Sequence, residues 1–212
     1  MSTDTCDRTE SPVTARQLDA LLHARRTVLP KRLGAPGPEP AEIEQIVGAA
    51  ASAPDHGSLV PWRFVVVPPA QRGRLAEVFA EALLQRDVAA TPEQLGQARE
   101  KAFRAPLLML AIARMGPGNE EIAAAERILS AGCAIQNMLL TATALGYGSA
   151  LTTGKALQSD ELRQLFALGR HDEPLCFISV GSVTAEKAGP ARPALGRYVS
   201  ELGCAPQHPP CG

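Results

Sequence analysis

The sequence predicts a layered fold in which helices and strands interleave, of the α/β or α+β class. Two apolar or β-branched runs bounded by loops predict buried strands at 63–68 and 106–113. Around them, apolar residues recur at the three- and four-residue spacing of amphipathic helices. Because neither a repeat nor a linker divides the 212 residues, we expect one domain at 15–202, a disordered leader at 1–14 and a loose tail at 203–212.

Four helices are expected in the N-terminal half, each with a stripe of apolar residues. The first carries Leu18, Leu21 and Leu22 on one face, and the segment RLGAPGPEP breaks it. Pro40 opens the second, because proline is favoured in the first turn of a helix. The four helices are expected at 17–26, 40–50, 71–86 and 92–103.

The C-terminal half begins with a long helix from about Asn119 to Leu145, which would span about 40 Å. Its many small residues allow another backbone to approach closely. The helix is therefore either the core helix of a monomer or packed on its own sheet and against a symmetry mate, and we favour the second interpretation. Gly146 ends it, and a strand at 147–153, a helix from Ser159 to about Leu168 and a strand at 174–183 follow. The small residues are Ala123, Ala124, Ala125, Ala131, Gly132, Ala134, Ala142 and Ala144.

Composition excludes several classes of function. With 21 Lys and Arg against 22 Asp and Glu, no basic field is present to attract nucleic acid or an anionic membrane. Aromatic residues make up only 4%, so a base-stacking platform is not expected. No apolar run is long enough to span a bilayer and the N-terminus lacks the apolar core of a secretory signal, so we expect a soluble, cytoplasmic protein.

Common catalytic and metal motifs are absent. The segment GSALTTGK has five residues between its glycines and is followed by Ala156, so it is not a nucleotide P-loop. No GxGxxG fingerprint is present. The five cysteines form no CxxC pair; Cys133 and Cys176 lie in apolar runs and are expected to be small buried hydrophobes. The tail residues Cys204, His208 and Cys211 are too few for a structural zinc site, so no metal is expected.

Three polar segments remain as candidate sites. Arg25-Arg26-Thr27 ends the first helix; it is either a solvated basic helix end or a set of guanidinium forks and a hydroxyl that hold a phosphate. The loop SAPDHGSLVPW at 52–62, stiffened by two prolines, is either a turn with a packed Trp or a rigid ligand wall. The glycines of GYGSALTTG allow the backbone to approach a flat ligand closely.

Three features follow one another along the chain: an RR[ST] helix end, an AP…PW loop before a strand, and a small-residue helix ending in a GxG strand. In this order, they resemble the nitroreductase family of flavoproteins. The loop APDH…PW and the segment FRAP before the buried strand are most similar to its short bacterial NAD(P)H nitroreductases. The resemblance covers about residues 16–202. It implies an α+β three-layer sandwich with a mixed central sheet flanked by helices, built as an intertwined homodimer with one FMN per active site at the interface.

The resemblance also assigns residues to the flavin. Arg25, Arg26 and Thr27 would hold the FMN phosphate and ribityl chain, with Arg192 as a late basic residue at the phosphate. Pro54, Asp55 and His56 would lie along the isoalloxazine, and Ser58 would occupy the position of an Asn that the partner subunit often contributes. Leu151, Thr152, Thr153 and Gly154 would supply backbone contacts near the ring and its reactive N5.

The loop departs from the commoner family pattern at three positions, with Asp55 for Ser, Ser58 for Asn and Val60 for Gln. Fewer amide donors therefore line the site. An Asp beside the flavin would disfavour negative charge on the reduced ring unless a cation offsets it. His56 either provides that cation or forms a local hydrogen bond.

The expected activity is that of an FMN-dependent NAD(P)H oxidoreductase. NADH or NADPH would reduce the flavin and be replaced by a small acceptor such as a nitroaromatic or quinone, in a ping-pong reaction. The flavin carries the hydride, so no protein nucleophile or acid–base pair is required. Three alternatives stay open: a flavin-dependent dehydrogenase of a biosynthetic intermediate, a non-catalytic flavin-binding dimer, and a small-molecule-binding domain without flavin.

Overall fold

The computed structural model describes residues 13–116, 121–185, 187 and 189–203. Within this part of the chain, six α-helices and five strands alternate along the sequence. The helices are α1 (Ala15–Ala24), α2 (Pro40–Gly48), α3 (Arg72–Leu84), α4 (Pro92–Glu100), α5 (Ala124–Ala144) and α6 (Asp160–Leu165). The strands are β1 (Leu33–Gly34), β2 (Trp62–Val66), β3 (Leu107–Arg114), β4 (Gly148–Thr152) and β5 (Asp172–Val183).

The five strands form one sheet in the order β1-β5-β3-β2, with β4 also paired to β5. Every ladder between these strands is antiparallel. The parallel character expected of a mixed sheet is limited, in the described residues, to a single bridge between Thr27 and Ser149. The class is therefore α+β, as predicted, and the sheet is almost wholly antiparallel.

The sheet lies between two helical layers because β3 is apolar on both faces. Leu107, Met109 and Ala111 pack in a core with α2 and α5. Leu108 and Leu110 point to the other face and pack in a second core with α3 and α6. Alternate residues of a strand face opposite sides, so a continuous apolar run is what a strand covered on both faces requires. The predicted three-layer sandwich is confirmed.

Most predicted elements are present, with shifted ends. The first helix begins at Ala15 instead of residue 17, since Thr14 accepts the Gln17 N–H and the Gln17 side chain accepts from Thr14 in a capping box. The helix expected at 92–103 ends at Glu100, where a 3₁₀ turn begins. Gly146 ends the long helix as predicted, with φ of 88°.

The long helix α5 is shorter than expected. It begins at Ala124, because the preceding residue Ala123 is extended, with φ of −61° and ψ of 150°. Its 21 residues span about 32 Å. Ala131, Ala134 and Ala142 are buried against the sheet.

Cys176 is buried, which raises the pKa of its thiol to about 11, and Cys133 is half-buried; both thiols are free. Cys176 is buried as the sequence predicts, whereas Cys133 is less buried than expected. None of the described helices is long and apolar enough to cross a membrane. The proposed leader up to residue 12 and the tail residues Cys204, His208 and Cys211 lie outside the described residues.

Candidate functional site

The segment that follows α1 reaches the edge of the sheet. The Val28 N–H donates to the Ser149 carbonyl at 2.9 Å, and Thr27 forms the parallel bridge to Ser149. Two of the predicted segments, Arg25–Thr27 and the β4 segment ending in Gly154, therefore lie side by side. The hydroxyl of buried Ser149 has no hydrogen-bond partner among the described residues.

Three arginines gather where α1 ends. The Arg192 guanidinium donates to the Arg25 carbonyl at 2.7 Å and to the Leu22 carbonyl at 3.3 Å, and Arg26 donates to the Pro190 carbonyl at 2.9 Å. Partial burial, with the positive charges of Arg192 and Arg26, lowers the pKa of Arg25. We call Arg25, Arg26 and Arg192 the arginine cluster.

Among the residues that the structure describes, no carboxylate neutralises the arginine cluster. Within the described residues none of its members forms an ion pair, and the guanidinium of Arg25 has no hydrogen-bond partner. Three guanidinium groups held together without a counter-charge favour an anion, and a phosphate accepts their forked hydrogen bonds well. The chemistry of the cluster therefore fits the phosphate that the sequence assigns to it.

The loop at 54–60 is held by the carboxylate of Asp55. Its Oδ1 accepts from the Leu59 N–H at 3.1 Å and its Oδ2 from the Val60 N–H at 2.7 Å. Ser58 and Val60 have positive φ values of 51° and 47°, a region that residues other than glycine seldom adopt. The Asp55 carboxylate thus stabilises a strained loop that exposes Pro54, His56 and Ser58 to solvent.

His56 bonds to a helix and not to its neighbour Asp55. Its Nδ1 lies 2.9 Å from Oε2 of Glu126, in the first turn of α5, and this hydrogen bond is the main cause of the lowered pKa of Glu126. This partner is 70 residues away along the chain, so the contact is not the local hydrogen bond that the sequence raised as one possibility. The pair attaches the loop to the N-terminal end of α5.

The predicted site residues therefore form two groups within one chain. The loop at 54–60 lies at the N-terminal end of α5, whereas β4 follows the C-terminal end of this helix and carries the bridge to Thr27. No hydrogen bond or ion pair among the described residues joins the loop to the arginine cluster or to Leu151–Gly154. One chain does not bring all three segments together.

A cavity of about 510 Å³ opens where β4 ends, on the side of the sheet covered by α3 and α4. Thr152, Thr153 and Gly154 line it. Leu151 does not, because it pairs with Ile178 and belongs to the α5 face of the sheet. The floor is apolar and includes Phe79, Leu83, Ala98, Leu108, Leu157 and Phe177.

Three basic residues at this cavity are missing from the sequence-based site: Arg86, Lys101 and Arg104. None of the described residues that line the cavity is acidic. Arg104 lies within the segment FRAP, which was noticed only as a motif before a strand, and Lys101 precedes that segment by two residues. Nothing in the spacing of Arg86 shows that it approaches them, since this depends on how α3 packs against α4.

The turn that carries Lys101 and Arg104 is anchored by a buried arginine. The guanidinium of Arg72 donates to the carbonyls of Val67 at 2.8 Å, Ala102 at 2.6 Å and Pro106 at 3.1 Å. Burial lowers the pKa of Arg72. Three carbonyl acceptors compensate the burial of this charge and fix the backbone on both sides of Arg104.

Comparison with known proteins identifies relatives over most of the chain. The model of the nitroreductase family matches residues 10–182. The Escherichia coli (strain K12) protein named "Putative NAD(P)H nitroreductase YdjA" is 32% identical over 164 residues, which cover 76% of this chain and 86% of that protein.

Solved structures share the fold at lower identity. A nitroreductase-like family protein from Bacillus cereus is similar with a TM-score of 0.73 at 16% identity, over 92% of this chain and 100% of the other. An iodotyrosine deiodinase bound to FMN and 3-iodo-L-tyrosine is similar with a TM-score of 0.64 at 20% identity, over 87% of this chain and 100% of the other.

Proposed function

The chain belongs to the nitroreductase family of oxidoreductases, and on this premise we propose that it is an FMN-dependent enzyme that uses NADH or NADPH to reduce small oxidised acceptors such as nitroaromatics and quinones. The observation that carries the proposal is the arginine cluster, which has no carboxylate partner in the described residues and lies beside β4. Similarity to YdjA and to a solved protein that binds FMN supports it.

The arginine cluster would hold the FMN phosphate. A phosphate monoester carries about −1.5 to −2 charges at pH 7, which matches a group of cations without a counter-ion. The Arg25 guanidinium has no hydrogen-bond partner among the described residues, whereas Arg26 and Arg192 each use part of theirs on backbone carbonyls. Arg25 is therefore the residue most available to the phosphate, with the Thr27 hydroxyl two residues further along the chain.

The cavity at the end of β4 would hold the isoalloxazine ring at the end lined by Thr152–Gly154, which leaves the apolar floor open to a substrate. Its volume of about 510 Å³ lies within the range of about 300–1,000 Å³ that is usual for cofactor sites. Leu29 and Pro30, which line it, continue the chain from Thr27, so phosphate and ring sites are connected. Bound FMN would supply the hydride transfer.

Lys101 would provide charge at this cavity. It lines the same space as Thr152–Gly154, and no described residue forms an ion pair with it. A cation near the ring stabilises the negative charge that a flavin gains on reduction. The Asp55 carboxylate accepts from the Leu59 and Val60 N–H groups of its own loop.

The complete site would require a homodimer. In this proposal the loop with Pro54, Asp55, His56 and Ser58 comes from the partner subunit, because one chain holds it at the other end of α5. Two exposed apolar faces support the association. No residue of α1 is buried, and Leu18 is 47% exposed; on α5, Leu129 is 69% exposed. We further propose that the protein acts in the cytoplasm, in line with its free cysteines.

Replacing Arg25 with Ala tests the phosphate site. The substitution removes a side chain that makes no hydrogen bond in the described structure, so the fold and the dimer should persist. Losing a charge-assisted hydrogen bond should raise the Kd for FMN about tenfold to a hundredfold. Fluorescence titration of the flavin-free protein measures this.

The matched control is Arg16→Ala, which removes an exposed arginine of the same helix without a described partner. Its FMN affinity should equal that of the unchanged protein. Equal affinities for both variants would remove Arg25 from the phosphate site.

A further inference from the structure

We propose that Arg86 and Arg104 form a subsite that selects substrates with an anionic group, a carboxylate or phosphate, attached to a flat apolar body. This inference rests on the proposed function and deepens it, since it names the chemical class of substrate that the cavity accepts. The two arginines and the apolar floor line the same cavity. A ligand that combines an anionic group with a flat apolar body would contact both the arginines and the apolar floor.

The floor favours a flat apolar group. Phe79 and Phe177 meet edge to face, with ring centroids 5.4 Å apart and an interplanar angle of 85°. Leu108 and Leu157 extend this apolar surface, and both side chains are buried. An aromatic ring bound here would gain dispersion and hydrophobic contacts and would need no hydrogen bonds.

Arg86 and Arg104 give the cavity a positive charge that is nearly unneutralised. Arg86 forms no ion pair within the described residues, and the guanidinium of Arg104 is 4.0 Å from Glu100, whose carboxylate is 72% exposed. The amides of Gln94 and Gln97 line the same cavity and add hydrogen-bond donors. With no acidic lining residue, the field in the cavity attracts anions.

Favourable interactions with helix dipoles do not by themselves explain the positions of Arg86 and Arg104. A positive residue after α3 and another after α4 would complement the negative ends of the two helices. Arg104, however, lies beyond the 3₁₀ turn that follows α4 and is kept there by Arg72, which bonds the carbonyls of Ala102 and Pro106. Tertiary contacts therefore hold Arg104 at the cavity that Arg86 also lines.

The anionic group has two possible sources in this reaction, a phosphate of the nicotinamide nucleotide or a carboxylate of the acceptor. Both offer the same chemistry to a guanidinium fork. The two half-reactions separate them, because the nucleotide acts in flavin reduction and the acceptor acts in flavin reoxidation.

The test uses the full-length FMN-loaded protein and the double variant Arg86→Gln/Arg104→Gln. Anaerobic stopped-flow measurements follow reduction by NADH and by NADPH, and then reoxidation by 4-nitrobenzoate and by its neutral analogue 4-nitrobenzamide. The control, Arg16→Gln/Arg74→Gln, has the same change of charge at exposed positions outside the cavity.

The double variant should keep its FMN and should lose affinity for an anionic substrate by about tenfold or more, with less than twofold change for the neutral acceptor. A loss confined to the nucleotides assigns the subsite to their phosphates, and a loss confined to 4-nitrobenzoate assigns it to acceptor carboxylates. If the double variant and the unchanged protein have the same affinities for both nucleotides and for both acceptors, the proposal is wrong.

A second readout does not depend on flavin chemistry. Binding of 4-nitrobenzoate and 4-nitrobenzamide to the flavin-free protein can be compared by NMR titration. Tighter binding of the carboxylate that disappears in the double variant supports the subsite even if FMN fails to bind, in which case only the proposed function has failed. Equal binding of the two probes, unchanged by the substitutions, would overturn the subsite.

Discussion

Among single residues, Asp55, which replaces the commoner Ser of the family pattern, has a structural role within its own loop. The sequence places it beside a flavin, and the structure engages both carboxylate oxygens with the N–H groups of Leu59 and Val60. Since Val60 is β-branched and has a positive φ, the loop has a conformational cost that these two hydrogen bonds offset. No sequence pattern could show which N–H groups the carboxylate meets.

The variant Asp55→Ala should lower the free energy of unfolding by roughly 2 kcal/mol, because two hydrogen bonds to a charged acceptor are lost at a strained turn. Asp55→Asn keeps one acceptor oxygen and should lose about half as much. Urea denaturation at constant protein concentration measures both. A loss below about 0.5 kcal/mol in the alanine variant would mean that the carboxylate does not hold the loop.

Helices and strands whose positions depend on neighbouring residues were predicted from local sequence patterns. The apolar run at 106–113 and the β-branched run at 63–68 appear as β3 and β2, and Gly146 ends α5. The start of α5 was predicted about five residues early, because Glu120, Glu121 and Ala123 favour a helix by composition while the backbone at Ala123 is already extended. Helix ends depend on such single caps, which are weak sequence signals.

Two glycine substitutions should change stability in opposite directions. Gly146→Ala should destabilise the protein by about 1 kcal/mol, because alanine is strained at the φ of 88° observed there. Gly96→Ala lies inside α4, where an added Cβ meets no described atom within 4 Å, and should stabilise by about 1 kcal/mol through helix propensity. Changes of the same sign in thermal unfolding would contradict the assigned ends of these helices.

For the whole molecule, the sequence predicted the class, the layers and the family, and it supplied candidates for part of the proposed site. The motifs and the family resemblance pointed to the arginine cluster and to Thr152–Gly154. Arg86, Lys101 and Arg104 were not, since their approach depends on how α3, α4 and β4 pack. The opposite locations of the loop at 54–60 and the arginine cluster suggest that the functional unit is larger than one chain.

The double variant Leu18→Glu/Leu129→Glu should weaken the dimer, because it places charges on the two exposed apolar faces that we assign to the interface. Flavin should be lost with the partner subunit. The control Val88→Glu changes a residue that is 89% exposed between α3 and α4 and should leave the mass unchanged. Sedimentation equilibrium measures the mass; a monomeric unchanged protein, or a double variant that stays fully dimeric, would contradict the assignment.

The visible spectrum of the purified protein, supplied with FMN and then mixed with NADH or NADPH without oxygen, shows whether the protein is a flavin-dependent NAD(P)H oxidoreductase. We expect a bound-flavin band that bleaches with at least one nucleotide and returns when a nitroaromatic or quinone is added. A band that neither nucleotide bleaches would indicate a dehydrogenase with another electron donor or a protein that only holds flavin. No bound flavin at all would mean that the proposed function is wrong.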